Sequence, residues 1–276
     1  MYKRSPLNYV GGKFTLLPQI LPLFPSYIRY FVDLFTGGAT VAINVKAGKV
    51  IANDIQKPVI DIYTTFQKMS KEDVFKHINN RIEEYGLSKT DKEAYLKFRD
   101  DYNKNPNPLD LFVLIVFCYN HQLRFAKNGM FNQSFGNNKS WFNPNIQKNL
   151  DIFLDSIKNI TFCSTSYDNI DLSSLTSRDF VYCDPPYLIT YPFYNVNDPW
   201  NKDKEVKLLE FLDNINEQGV KFALSNVLEN KKKSNDILKE WCEKYNVHHL
   251  NRNYDYCQWS AVNKGSLTDE VLITNY

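Results

Sequence analysis

The sequence predicts an α/β fold: a mostly parallel sheet with flanking helices, interrupted by a smaller inserted segment. Three observations carry this. Short apolar runs alternate with helical patterns near both ends, a run of buried-strand type stops at a stiff Asp184-Pro185-Pro186-Tyr187, and charged amphipathic segments take over from about Thr64 to Asn149. With 276 residues, 43% of them hydrophobic, the chain can fill one large core or two modest ones.

Tyr30-Phe31-Val32-Asp33-Leu34-Phe35 opens the pattern as a strand. A Gly37-Gly38 turn follows, then a helix-like stretch from Thr40 to Val45, a second strand over Val50 to Asp54, and a helix opened by Pro58. The inserted part holds the apolar helix Leu109 to Tyr119, and the Asn128-Gly129 pair between Phe125 and Phe131 predicts a hairpin. The βα pattern resumes with strands at Ile160 to Cys163 and Asp179 to Cys183 and a helix from about Lys204 to Gln218. A strand from Lys221 to Ser225, a helix near Asn235 to Tyr245 and a last strand from Val271 to Thr274 complete it. One α/β domain, 1–63 with 150–276, is therefore expected around an insertion of 64–149.

Net charge is only +2, so overall basicity does not decide for or against nucleic acid; a duplex-binding surface can be local. Lys231-Lys232-Lys233 reads as a solvated helix face. The five cysteines, Cys118, Cys163, Cys183, Cys242 and Cys257, are scattered and odd in number, which argues against a zinc site or a disulfide framework. Cys183 sits in an apolar strand and reads as a packed thiol rather than a nucleophile. His77, His121, His248 and His249 show no metal-ligand spacing, and no metal is expected; apart from His121 they read as surface or helix-end residues. With no signal peptide or apolar stretch of membrane-spanning length evident, the expected compartment is a reducing bacterial, archaeal or phage-host cytoplasm, with no membrane partner.

Asp184-Pro185-Pro186-Tyr187 falls at the carboxyl end of a strand, where open α/β sheets place their ligands. Phe35-Thr36-Gly37-Gly38-Ala39 joins a strand to a helix-like stretch, a place for close backbone approach by a ligand and equally for a plain tight turn. Asp54 ends the next strand, from which a carboxylate can accept hydrogen bonds from ribose hydroxyls. The spaced glycines of the dinucleotide fingerprint are absent, which disfavours a dinucleotide oxidoreductase and favours a nucleoside ligand without a pyrophosphate.

In order along the chain, these residues resemble a known family. Asn8-Tyr9-Val10-Gly11-Gly12-Lys13, Asp33-Leu34-Phe35-Thr36-Gly37-Gly38, Asp54 and Asp184-Pro185-Pro186-Tyr187 look like the Dam-type (alpha group, D12 class) adenine-N6 DNA methyltransferases, as do Ala223-Leu224-Ser225-Asn226 and the ending Glu270 to Tyr276. The resemblance implies a Rossmann-like S-adenosylmethionine-dependent fold with an antiparallel terminal strand and an inserted helical and hairpin domain that recognises DNA. Tyr9, Gly11, Gly12 and Lys13 then correspond to the amino-terminal cofactor-contact motif, with Tyr9 where the family usually has Trp. Asp33, Phe35, Gly37 and Gly38 line the cofactor pocket, Asp54 holds the ribose, and Ser166-Tyr167 stands where the family often has Asp-Phe. Either Ser166 or Asp168 meets the cofactor adenine; Asp184 borders the cofactor as well as the substrate.

The chemistry suits that tetrapeptide. An adenine amino nitrogen is a poor nucleophile because its lone pair is delocalised into the ring. Two acceptors on its hydrogens, the Asp184 carboxylate and the Pro185 carbonyl, favour a tetrahedral nitrogen, and Pro185-Pro186 stiffens the geometry. Duplex DNA hides the amino group, so the base must be flipped out; Tyr187 is placed to stack on it, with Tyr194 and Trp200 in the following loop.

The resemblance places a DNA-reading hairpin at Tyr119 to Gly136, with contacts from Asn120, Gln122, Arg124, Asn132, Gln133 and Ser134. Arg124 stands where an arginine engages guanine, or else touches only phosphate. Members that methylate GATC generally carry Gly-Leu at His121-Gln122 and Val-Pro at Gln133-Ser134. The amides of Gln122 and Gln133 can pair with adenine, so the expected target is a short site containing adenine and at least one guanine, either GATC or a different one. Asn137 to Trp141 tracks phosphates or flanking bases, or is a free loop, and Arg252 and Lys264 are phosphate candidates. Double-stranded DNA is the expected partner, with a cognate restriction endonuclease as a functional one and monomeric action as the default. The competing readings are a silent DNA-binding or cofactor-sensing module and an amino-methyltransferase for RNA, cytosine N4 or a protein amide.

Overall fold

A computed structural model of the protein describes residues 2–190, 199–231, 233–251 and 268–276. In chain order they form α1 (Leu17–Ile20), β1 (Tyr30–Asp33), β2 (Lys49–Asn53), α2 (Lys57–Lys68), α3 (Lys71–Tyr85), α4 (Lys92–Lys104), α5 (Pro108–Phe117) and α6 (Pro144–Ser156). Then come β3 (Ile160–Cys163), β4 (Phe180–Cys183), α7 (Lys202–Glu217), β5 (Lys221–Asn230), β6 (Lys233–Ser234), α8 (Asp236–Cys242), β7 (Asn246–Leu250) and β8 (Thr268–Thr274). The chain divides into two compact units, one of residues 1–12, 37–44 and 54–165 and the other of 13–36, 45–53 and 166–276.

The second unit carries the sheet. Six of its strands run in the order β2-β1-β4-β5-β8-β7, with β6 paired to β5. β1 is parallel to β2 and to β4, β4 is parallel to β5, and β8 is antiparallel to both β5 and β7. The expected mixed sheet is therefore present, its terminal strand antiparallel. Alternation decides the two faces: Val32, Val181, Phe222 and Leu224 pack with Leu208 and Leu212 of α7, whereas Phe31, Phe180 and Tyr182 stack with Phe24 on the other. Strand order reverses at β1, because β2 lies on one side of it and β4 on the other. The crevice at the carboxyl ends of β1 and β4 is thus a switch point, where such sheets bind ligands.

At the opposite edge, buried Asp179 precedes β4 and holds Arg29. Its carboxylate accepts from Arg29 Nε at 2.8 Å, the Tyr30 amide at 3.1 Å, and the Thr176 amide and hydroxyl at 2.7 and 3.1 Å. Burial pushes its pKa up, but the Arg29, Thr176 and Tyr30 donors outweigh this and hold it at about 2. Because the folded value lies below the unfolded one, this stability is fully present above about pH 4 and is lost as pH falls toward 2. Acid unfolding followed by circular dichroism should show that loss, and Asp179→Asn should flatten the profile in this window; an unchanged slope would refute the assignment.

The first unit is mainly helical. α5 is buried on every side from Leu109 to Phe117, and α2, α3 and α4 pack around it. Side-chain caps set the starts: Ser70, Asp91, Asn107 and Asn143 each accept from an amide in the first turn of α3, α4, α5 and α6. The hairpin is present as an antiparallel bridge between Phe125 and Phe131, with Gly129 at φ +81° and the Ala126 amide bound to the Met130 carbonyl. Tyr119 to His121 form a tight turn in which Asn120 and His121 take positive φ, +55° and +54°.

Several expectations need correction. Thr40 to Val45 is a set of turns rather than a helix: the Asn44 side chain takes the Thr40 carbonyl and also pairs with the Lys3 backbone, replacing helical donors. Lys231, at φ +57°, stands in a turn after β5 and Lys233 begins β6, so neither lies on a helix face. β7 was not expected at all, and His248 and His249 lie on it, opposite Leu272 and Val271. His77 is half-buried and binds Asp110 at 2.6 Å, which Arg81 also holds.

Candidate active site

In the second unit, β4 delivers Asp184 to the switch-point edge, and Pro185-Pro186 leave strand geometry at once. The fixed φ of each proline and the lost amide donors stop the ladder there. Asp184 Oδ2 lies 2.7 Å from Lys13 Nζ, and Oδ1 accepts from the Tyr187 hydroxyl at 3.0 Å. Glu270 of β8 completes the group, 4.0 Å from Lys13 Nζ and 3.5 Å from the Tyr187 hydroxyl. The Lys13 ammonium stands 5.2 Å from the centre of the Tyr187 ring. Lys13 and Glu270 keep 3% and 1% of their side-chain surface, while Asp184 keeps 18% and so offers the open edge. Burial raises the Asp184 pKa, opposed chiefly by the charge of Lys13 and its hydrogen bond.

Asp33, one strand away in register with Tyr182, is buried and its Oδ2 accepts from the Thr36 hydroxyl at 3.0 Å. Phe35 leaves β1 and meets Tyr167 at 5.4 Å and, edge-on, Trp200 at 6.0 Å. Ser166 caps the turn that carries Tyr167, its carbonyl accepting from the Asn169 amide, while Asp168 is exposed. Trp200 is anchored by its indole N–H, which donates to Glu205 at 2.6 Å. Glu205 is wholly buried and also accepts from Asn226 at 3.1 Å and Asn235 at 2.9 Å. Tyr194, Arg252 and Lys264 lie outside the described residues.

The first unit holds the glycine turn. Gly37, at φ +46°, is fixed on three sides: its amide donates to Asp54 at 2.8 Å, its carbonyl accepts from Tyr63 at 2.8 Å, and the Tyr9 ring lies on it. A Cβ at Gly37 would stand 2.8 Å from the Tyr9 ring. Gly38 is almost as close to Tyr9, and the Gly12 amide closes the amino-terminal turn on the Tyr9 carbonyl at 3.0 Å, with Gly11 at φ +81°. Asp54 also accepts from the Gln56 amide at 2.8 Å. Burial raises its pKa against these two amides. A carboxylate has about four acceptor sites, so two amides leave capacity for a diol. Gly37→Ala should cost about 1–2 kcal/mol from the left-handed backbone alone, and displacement of Tyr9 should weaken cofactor binding in calorimetry. Unchanged affinity would show that the turn does not serve the ligand.

On the hairpin, Arg124 and Ser134 are exposed, Gln122 and Asn132 are half-buried, and Asn120 (φ +55°) gives its carbonyl to Asn8 at 3.1 Å. Among the described residues the Arg124 side chain makes no hydrogen bond or ion pair. Gln133 corrects an expectation. It is buried, and its amide donates to the Tyr119 carbonyl at 3.2 Å and to Gln122 Oε1 at 3.5 Å, so it faces inward behind Gln122. Sequence reasoning gave no role to Glu270, Glu205 or Tyr63. Glu270, at the head of an apolar run, offered a signal; Glu205, in a charged helical turn, offered none.

A carboxylate at the switch point, on a proline-stiffened edge and in the same unit as the aromatic pair Phe35 and Tyr167, marks an α/β protein with a candidate ligand site at the carboxyl ends of its parallel strands. A family model described as D12 class N6 adenine-specific DNA methyltransferase matches residues 9–256, and the chain belongs to that family. It is 48% identical over 281 residues to the type II methyltransferase M.FokI of Planomicrobium okeanokoites, all of this chain matching 43% of that protein. Modification methylase StsI of Streptococcus sanguinis is 48% identical over 283 residues, with the same coverage. The chain thus spans about two fifths of the length of these curated relatives. The DNA adenine methylase of Escherichia coli (strain K12) is 26% identical over 254 residues, covering 89% of this chain and 86% of that protein.

Proposed function

We propose that this chain methylates adenine N6 at a short site in duplex DNA, with S-adenosylmethionine as donor. The observation that carries the reading is Asp184: a partly open carboxylate at the switch point, backed by two prolines and a tyrosine. Phe35, Tyr167 and Asp33 would hold the cofactor's base and methionine sides, and Asp54 its ribose; the spare acceptor capacity of Asp54 fits that task. The cofactor supplies an electrophilic methyl group on a sulfonium. Asp184 and the Pro185 carbonyl take the two amino hydrogens of a flipped adenine, so the nitrogen lone pair turns out of conjugation. The bound cofactor would supply the methyl group and its sulfur would leave with the electron pair, while Asp184 would hold the amino hydrogens and receive the proton that the methylated nitrogen gives up. No enzyme nucleophile is needed, which agrees with the buried Cys183, whose thiol pKa burial raises strongly.

The segment 64–149 serves target recognition in this reading. Exposed Arg124 reads guanine, and Gln122, braced by Gln133, reads adenine. The Gln122 amide, where members of GATC specificity carry an apolar residue, favours a target other than GATC. The names of the relatives, a type II methyltransferase and a modification methylase, support a protective role beside a restriction endonuclease. The protein would act as a monomer on one strand at a time. Incubation with unmethylated genomic DNA and S-adenosylmethionine, followed by single-molecule sequencing, should reveal N6-methyladenine at one guanine-containing motif. Modification of RNA alone, of cytosine, or of nothing would overturn the reading.

A further inference from the structure

We infer that Asn103 of α4 is a positioning residue for target specificity, fixing which side chains of the hairpin face outward; this rests on the reading of the hairpin as the part that meets the bases. Phe125 and Phe131 stand opposite each other in the hairpin. The hydrogen bonds that flank them run from the Ala126 amide to the Met130 carbonyl at 2.8 Å and from the Asn132 amide to the Arg124 carbonyl at 3.1 Å. Phe125 and Phe131 are thus a non-hydrogen-bonded pair of the antiparallel ladder, and the N–H and C=O of Phe131 point away from the opposing strand. Unpaired, those two groups would be an open strand edge.

Asn103 takes both of them. Its Oδ1 accepts from the Phe131 amide at 2.8 Å, and its Nδ2 donates to the Phe131 carbonyl at 3.0 Å. A side-chain amide presents a donor beside an acceptor, as a peptide group does, so one helical residue takes the place of a third strand. Two residues on, the Tyr95 hydroxyl of the same helix donates to the Gln133 carbonyl at 2.9 Å. The buried Phe131 ring lies edge-on to Tyr102 and Phe125, with centroids 6.2 and 5.8 Å away, and Phe135 is 5.4 Å from Tyr95.

Phe131, Gln133 and Phe135 are therefore the inward set. Between them Asn132 is half-buried and Ser134 exposed, with exposed Arg124 across the ladder from Asn132. A slip of one residue would exchange the two sets, burying Asn132 and Ser134 and presenting Phe131 and Gln133 to the duplex. Apolar packing is non-directional and tolerates such a shift, whereas a donor and an acceptor aimed at one residue do not. Asn103 thereby sets which residues can meet the bases.

Asn103→Ala removes both bonds and leaves the rings in place. Once the methylated motif of the native protein is mapped, single-turnover methylation of that site, and of sites differing from it by one base pair, gives a specificity ratio. The ratio should fall at least about tenfold in Asn103→Ala, because base contacts that discriminate by geometry lose their aim. Asn107→Ala is the control for a purely structural loss: it removes the side-chain cap of α5, and should lower Tm while keeping the ratio within about threefold of native. A ratio within about threefold of native in Asn103→Ala, or an equal fall in Asn107→Ala, would overturn the inference. Amide hydrogen exchange reads the bond without catalysis. Protection of the Phe131 amide should fall at least about tenfold in Asn103→Ala, with that of the Leu111 amide in α5 within about threefold of native; unchanged protection at Phe131 would sink the idea. A native protein that modifies no DNA would overturn the proposed function and this inference with it, whereas a specific native protein beside an equally specific variant would overturn the inference alone.

Discussion

Asp184→Asn should lower the single-turnover rate of adenine methylation by roughly a thousandfold while leaving cofactor affinity within a few-fold of native. The change is one atom, but it reverses the hydrogen-bond character of half the group. A carboxylate only accepts, and so can take an amino hydrogen; an amide NH₂ turned the same way donates, and meets the adenine amino group donor to donor. The lone pair of the base then stays conjugated. Pro185 and Pro186 still shape the loop, so the loss falls on the rate and not on assembly of the site. Quenched-flow transfer of labelled methyl groups, with calorimetry of cofactor binding, checks this. A variant that retains more than about a tenth of the native rate would remove Asp184 from the role assigned to it.

Glu205→Ala should destabilise the protein by about 3–5 kcal/mol, since loss of one acceptor leaves buried donors unpaired, each costing about 1–3 kcal/mol. Glu205 is 0% exposed and ties three segments together: Trp200, Asn226 in the middle of β5, and Asn235, which caps α8 through the Leu238 amide. Trp200 in turn abuts Phe35. Denaturant unfolding followed by tryptophan fluorescence reads the stability, and a red shift of the native emission reports release of the indole. A loss below about 1 kcal/mol would mean that water substitutes for the carboxylate.

Much of this architecture was legible in the chain itself. Strand positions were legible from apolar runs that stop at polar residues, since a strand buried on both faces tolerates little polarity until it emerges, but β1 and β2 end at Asp33 and Asn53, short of the expected Phe35 and Asp54. Asn128-Gly129 announced its hairpin, since the turn needs a positive φ at little cost. The motif residues Asp184 to Tyr187 and the glycine turn were visible for the same local reason: their conformations are dictated by proline and glycine. Elements without such punctuation were harder. β7, Asn246 to Leu250, has two histidines in a five-residue run and is a strand only because β8 supplies its ladder. The stretch after the glycine turn has helical spacing, yet Asn44 spends its side chain on Thr40 and Lys3.

Side-chain partnership lay further out of reach. Gln133 and Gln122 are chemically alike in the sequence, but the fold turns one inward as a brace and leaves the other half-exposed. Glu205, in the run Lys202-Asp203-Lys204-Glu205, looks like any solvated helical turn, and Lys13 with Glu270 are 257 positions apart. By itself the sequence determined most of the strands and turns and the family, and it supplied the candidate acceptor Asp184, because these follow from local backbone preference and from residues that must stand together in the chain. Only the tertiary structure decided which charges share a cavity and which amides are already spoken for, because desolvation and pairing depend on distances between segments that the chain order does not encode.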